Sequence, residues 1–132
     1  MQENKTGGGT TSQKVRYTVE LERVTSPMVK RAVNEMVKNL EGEILTQKEF
    51  NIFKDTLPVR GTCVKFKEAM FPVDIFVDEQ GKLIVNGDDM DVRRIAKQAK
   101  QFYKAMNIAL LTGANIDYNK NNKKVKLKMR AR

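Results

Sequence analysis

The residues with the clearest chemical potential are the lysines and arginines of the last 40 positions. Four of them, Arg93, Lys97, Lys100 and Lys104, follow at intervals of four, three and four, which places them on one face of a helix. Those between 124 and 130 occupy every second position, which places them on one face of a strand. Rows of cations with this spacing either are solvated faces that keep a protein soluble or bind phosphate groups. The candidate phosphate-binding residues are Arg93, Lys97, Lys100, Lys104, Lys120, Lys123, Lys124, Lys126, Lys128 and Arg130.

The distribution of charge along the chain strengthens this interpretation. The 132 residues carry 25 basic and 16 acidic side chains, a net charge of +9. Residues 93–132 hold 12 of the basic residues and one acid, Asp117, whereas residues 1–92 are close to neutral. A surface that only maintains solubility mixes the two signs, so the basic C-terminal third predicts attraction to a polyanion. Nucleic acid is the commonest such partner.

Residues that could perform catalysis do not form a recognisable set. The chain has no histidine, so a serine or cysteine nucleophile lacks its usual base. Cys63, the one cysteine, alternates with apolar residues and is expected to be a small core residue. The sequence therefore predicts a protein that is not an enzyme. It contains no cofactor-binding motif, and we expect no cofactor.

A cluster of acids leaves one alternative open. Asp88, Asp89 and Asp91 could bind Mg²⁺ or Ca²⁺ together with Asp74 or Asp78, as in a metal-dependent enzyme. The same three acids precede a long helix, whose positive N-terminal end favours carboxylates. We expect this capping role and no metal site.

Two aromatic side chains lie close to the basic residues. Tyr103 is just off the apolar face of the basic helix, and Tyr118 lies in the strand that follows. Either ring could stack on an exposed base. The alternative, which we favour, is that both rings cover the edge of the core.

Hydrophobic periodicity predicts the elements that position these side chains. Alternation from Lys14 indicates a strand, and an apolar stripe after Ser26-Pro27, with Ser26 as N-cap, indicates a helix that stops near Gly42. A capping-box pattern predicts a short helix over residues 46–55, with Phe50 and Phe53 in the core. Strands are predicted at 62–67, 73–77 and 82–85, followed by a turn at 86–89. The basic helix should then run from about 91 to 111 and stop at Gly113, before two strands at 116–118 and 124–130.

These elements predict a single small α+β domain in the order β-α-α-β-β-β-α-β-β. We expect an antiparallel sheet of about five strands with two main helices packed on one face. Residues 1–13, which include three consecutive glycines, are expected to be a disordered N-terminal tail, and residues 14–132 to form the domain.

The functional expectation is a non-enzymatic nucleic-acid-binding protein, with DNA and RNA both possible. The alternative is a protein-interaction adaptor, or a subunit of a larger assembly, whose basic face docks an acidic protein partner. An exposed last strand could also pair with itself in a homodimer. No apolar run reaches the length of a membrane span, and the single cysteine fits a reducing compartment, so we expect a cytoplasmic location.

Overall fold

The computed structural model describes residues 14–22, 25–50 and 59–129. Its elements are β1 Lys14–Val19, α1 Ser26–Asn39, β2 Glu43–Phe50, β3 Val59–Lys65, β4 Val73–Val77, β5 Leu83–Asp88, α2 Asp89–Thr112, β6 Asn115–Asn119 and β7 Lys124–Lys128. The predicted tail at 1–13 lies outside these ranges. Within these ranges the fold is mixed α+β and contains the two main helices that the sequence predicts.

Five strands form an antiparallel sheet in the order β1-β5-β4-β3-β2. The predicted five-stranded antiparallel sheet is therefore confirmed. Strands β6 and β7 form a separate antiparallel hairpin, in which Asp117 faces Lys126.

One hydrophobic core joins the two helices to the sheet. From the helices it takes residues such as Met36 and Phe102, both fully buried, and from the strands residues such as Val64, Ile75 and Val85. Both helices contribute to the same cluster, which accounts for their period of three to four apolar positions.

The third element of the sequence-based order is wrong. Residues 46–50 belong to β2, which pairs with β3 from Glu43↔Lys65 to Phe50↔Val59. The capping-box pattern is a local helix signal, and here the backbone hydrogen bonds are satisfied by a partner strand distant in sequence. The remainder of the predicted helix, including Phe53, falls outside the described residues, as does the side chain of Phe50.

Two boundaries also differ from the prediction. The turn expected at 86–89 does not form, because β5 continues to Asp88 and α2 begins at the next residue. The N-cap of α1 is Thr25 rather than Ser26, with Pro27 in the first turn. At the other end of α2, Gly113 adopts a left-handed conformation with φ of 74°, which agrees with the predicted stop.

Candidate nucleic-acid interface

Helix α2 is the element on which the candidate surface is built. Its first turn is fixed by Asp88, whose carboxylate accepts a hydrogen bond from the Met90 backbone N–H at 3.2 Å. Asp89, one residue further on, forms an ion pair with Arg93 at 2.9 Å. The capping role predicted for these acids is thus seen at Asp88. Within the described ranges, no group of three acidic or thiol side chains is arranged to hold a metal ion.

Asp91 has a different role, which the sequence did not reveal. Its side chain is almost fully buried, and its two oxygens accept hydrogen bonds from the backbone N–H groups of Met70 at 3.1 Å and Phe71 at 3.0 Å. The loop that it holds, residues 66–72, is called the clamped loop below. Lys65 Nζ donates to the carbonyl oxygens of Phe66 and Ala69, and Arg94 donates to the carbonyl oxygen of Glu68. Charged side chains therefore fix the loop backbone from two sides.

The hairpin β6–β7 is attached to the same flank of α2. Gln98 Nε2 donates to the Lys123 carbonyl oxygen at 3.2 Å, and the Val125 N–H donates to Gln101 Oε1 at 3.3 Å. Behind these bonds, the ring of Tyr118 stacks on Phe102 with centroids 5.7 Å apart.

The helix positions that hold the loop and the hairpin fall on one line. Asp91, Arg94, Gln98 and Gln101 are spaced three, four and three residues apart, which is one edge of a helix surface. The clamped loop thus occupies the N-terminal part of this edge, and the hairpin follows it. Because Lys123 is held at position 98 and Val125 at position 101, β7 runs in the same direction as α2.

The predicted lysine stripe lies beside this edge. Lys97, Lys100 and Lys104 are all exposed, and Lys97 and Lys104 are helix-surface neighbours of Gln101, the residue that holds β7. Their exposure agrees with the periodicity of the sequence.

The outward face of β7 carries the second group of cations. Lys124, Lys126 and Lys128 are exposed, whereas Val125 and Leu127 between them are half-buried. The alternation expected for the strand is therefore present. The two sets of lysines lie on adjacent elements joined by the Gln101–Val125 hydrogen bond.

Among the described residues, these six lysines differ from the other predicted phosphate-binding residues, which form ion pairs with acids. Over residues 14–22, 25–50 and 59–129, no acid forms an ion pair with any of the six. We call them the six-lysine surface: Lys97, Lys100, Lys104, Lys124, Lys126 and Lys128. Asp117 adds one negative charge to the outward face of the hairpin, opposite Lys126 in the strand register.

Three of the other predicted phosphate-binding residues already have acidic partners. Arg93 pairs with Asp89, Lys120 with Glu41 at 3.4 Å, and Lys123 with Glu68 at 3.3 Å. These three predicted phosphate-binding residues are therefore already paired with carboxylates in the free protein. The fold brings Glu41 and Glu68 from distant parts of the chain to the hairpin turn, which spacing alone does not reveal. Arg130 lies outside the described residues.

The ionisable groups at these contacts have shifted pKa values. The hydrogen bond and positive charge of Lys120, assisted by Lys67, hold the pKa of the Glu41 carboxyl below its usual value. The hydrogen bond to Asp89 raises the pKa of Arg93. Burial of the Tyr118 hydroxyl, and then the negative charge of Glu68, raise the pKa of that phenol.

Neither tyrosine that was considered for base stacking is available. Tyr103 is only 4% exposed, and Tyr118 is packed on Phe102. Both rings belong to the core edge, which was the favoured alternative.

Phe71 is an aromatic residue displayed near α2, 41% exposed and flanked by the more exposed Met70; Tyr17 of β1, 36% exposed and near Arg93, is another. The spacing of residues in the sequence does not identify Phe71, because the exposure of its ring depends on the contact between Asp91 and the clamped loop. Arg94 was also missed, since it lies off the main lysine stripe.

Large apolar side chains continue the exposed side of α2 beyond its lysines. Ile108 and Leu111 follow Lys104 at intervals of four and three residues, and Leu111 is 89% exposed. Met129, which follows β7, is 67% exposed. No helix in the described part of the chain is long and apolar enough to cross a membrane.

Comparisons of the chain with protein-family models, curated proteins and solved structures gave no match. We therefore infer function from the geometry and charge of the surface itself.

Proposed function

We propose that this chain is a non-enzymatic nucleic-acid-binding protein whose six-lysine surface contacts phosphates. The observation that carries the proposal is the adjacency of two exposed lysine rows, one on α2 and one on β7, without carboxylate partners among the described residues. Like charges at this spacing repel one another, so a bound polyanion relieves a cost that the free protein bears. Contacts of this kind read the backbone and give little sequence preference.

Counterion release gives the proposal a quantitative signature. Each phosphate that a lysine neutralises contributes about 0.9 to the slope of log K against log salt for duplex DNA, and about 0.7 for single strands. Three helix contacts therefore contribute a slope of about 2 to 3. We expect binding at low salt that weakens steeply as salt is added.

A triple variant with a matched control tests the proposal by fluorescence anisotropy on single- and double-stranded DNA and RNA. Lys97→Gln, Lys100→Gln and Lys104→Gln together should lower the salt slope by about 2. The control neutralises three exposed cations of α1, Lys30, Arg31 and Lys38, and changes the net charge equally. Absence of binding at low salt, or an equal effect of the control, would contradict the proposal.

The apolar end of α2 favours a second candidate, an adaptor that docks an acidic protein partner. Phosphate binding does not require the exposed apolar side chains of Ile108 and Leu111, whereas protein interfaces commonly contain apolar anchor residues beside charged ones. A complex that survives nuclease treatment and is lost in Leu111→Asp, but not in Asn115→Asp, which adds the same charge at another exposed position, would support this candidate.

A further inference from the structure

The clamped loop displays apolar side chains on an unusually constrained backbone. Met70 is 75% exposed and Phe71 is 41% exposed. Their backbone N–H groups are both held by the buried carboxylate of Asp91, and the preceding residues are held by Lys65 and Arg94. Because the backbone of the loop is already fixed, little conformational entropy is lost when the Phe71 ring binds a ligand.

The location of the loop connects it with the six-lysine surface. The clamped loop and the hairpin occupy successive parts of one edge of α2, with Arg94 between them. The hairpin turn contacts the clamped loop directly, because Lys123 forms an ion pair with Glu68 at 3.3 Å. The β7 lysines follow Lys123 along the same edge of α2, so a polyanion bound to them lies beside the clamped loop, which carries Phe71.

We propose that Phe71 stacks on an unpaired base and that the preferred ligand is a single-stranded nucleic acid. This inference rests on the proposed function, because the lysines must first hold the phosphates. An exposed aromatic ring beside a cationic track is the arrangement by which single strands are bound without sequence preference, since every base has a π face. A duplex hides those faces within its stack, so the ring gives an advantage to single strands alone.

The neighbouring methionines suit this role. Met70 precedes the ring, and Met90, which is 70% exposed, lies in the first turn of α2 beside Asp91. Thioether side chains are flexible and polarisable, and they adapt to planar ring systems of different shape. Side chains of this kind suit a site that accepts purines and pyrimidines alike.

The variant Phe71→Leu tests the inference, because it keeps an apolar side chain and removes the ring. We expect the affinity for an oligo(dT) or oligo(U) strand to fall about tenfold, which corresponds to one stacked base, while the affinity for a duplex of equal length stays unchanged. Phe71 is exposed, so the melting temperature should also stay unchanged. Phe71→Trp gives a second measurement, since the chain has no other tryptophan. Its fluorescence should be quenched by single strands and not by duplex.

The outcomes separate this inference from the proposed function. If the α2 lysine triple weakens binding to all nucleic acids while Phe71→Leu binds single strands like the wild type, stacking is refuted and phosphate binding stands. An equal loss for single strands and duplex in Phe71→Leu also refutes stacking. If no nucleic acid binds at low salt, both proposals fail. Ring-dependent capture of a protein after nuclease treatment, without a single-strand preference, assigns the loop to a protein partner and overturns the inference.

Discussion

Removal of the Asp91 carboxylate should destabilise the protein far more than removal of its neighbour Asp89. Asp91 is 3% exposed and accepts hydrogen bonds from two backbone N–H groups, those of Met70 and Phe71. In Asp91→Ala both donors lose their acceptor in a partly buried position. The variant therefore tests whether one side chain joins the clamped loop to α2.

The magnitude follows from the two contacts. A hydrogen bond to a charged group contributes about 1.5–3 kcal/mol, and an unpaired buried donor costs a similar amount. Water can reach the two N–H groups once the carboxylate is gone, because the side chains of Met70 and Phe71 are exposed, so we take the lower bound for each bond. Two bonds then give a loss of about 3 kcal/mol. For a chain of this length that corresponds to a fall in melting temperature of roughly 10 °C. Asp91→Asn keeps one acceptor and should lose about half as much.

Thermal and urea unfolding, followed by circular dichroism, measure this difference. Asp89→Ala is the matched control, since it removes an acid of the same first turn whose ion pair with Arg93 is exposed. We expect the control to change the midpoint only slightly. A melting temperature for Asp91→Ala equal to that of the control would refute the role assigned to Asp91.

Four further outcomes are expected. Glu41→Gln frees Lys67 of the clamped loop and Lys120 of the hairpin turn, and should strengthen nucleic-acid binding and raise its salt slope, measured by anisotropy. An unchanged slope counts against the pairing. The pKa of Glu41 is depressed, so its contribution to stability is complete above its unfolded pKa of about 4.5 and is lost as pH falls through the lower folded value. When the unfolding of Glu41→Gln is measured at decreasing pH, the variant should therefore not show this part of the loss of stability. Gly113→Ala should lower the free energy of unfolding by about 1 kcal/mol through its positive φ alone, since an added Cβ meets no atom within 4 Å. Gly42→Ala should lower the free energy of unfolding by about 1–3 kcal/mol, because its Cβ would lie 2.8 Å from a core methyl group.

The elements with strong local periodicity could be predicted from the sequence. The apolar stripe of α2 and the alternation of Lys124 to Lys128 each identify an element and the face that it buries. Gly113 marks the end of α2 because only a left-handed residue closes the helix there. The exposure of the six-lysine surface follows from the same periodicities.

Features that depend on residues distant in sequence could not be predicted. Strand β2 forms because β3 pairs with it, and no local pattern in residues 46–50 indicates that pairing. The pairing of Lys120 with Glu41 and of Lys123 with Glu68 likewise depends on how the chain folds back. The display of Phe71 depends on Asp91, 20 residues further along the chain. Each case needs a tertiary contact that spacing does not encode.

The separation of the β6–β7 hairpin from the main sheet has a consequence for cooperativity. A two-stranded hairpin is marginally stable in water by itself, so this one persists through Gln98, Gln101 and the stacked rings of Phe102 and Tyr118. Amide protons of β7 should therefore exchange with solvent through local opening, well before those of the central strands. Three of the six lysines proposed to contact a ligand thus lie on the hairpin, the unit expected to open first. Ligand binding should therefore slow amide exchange in β7 before it slows exchange elsewhere.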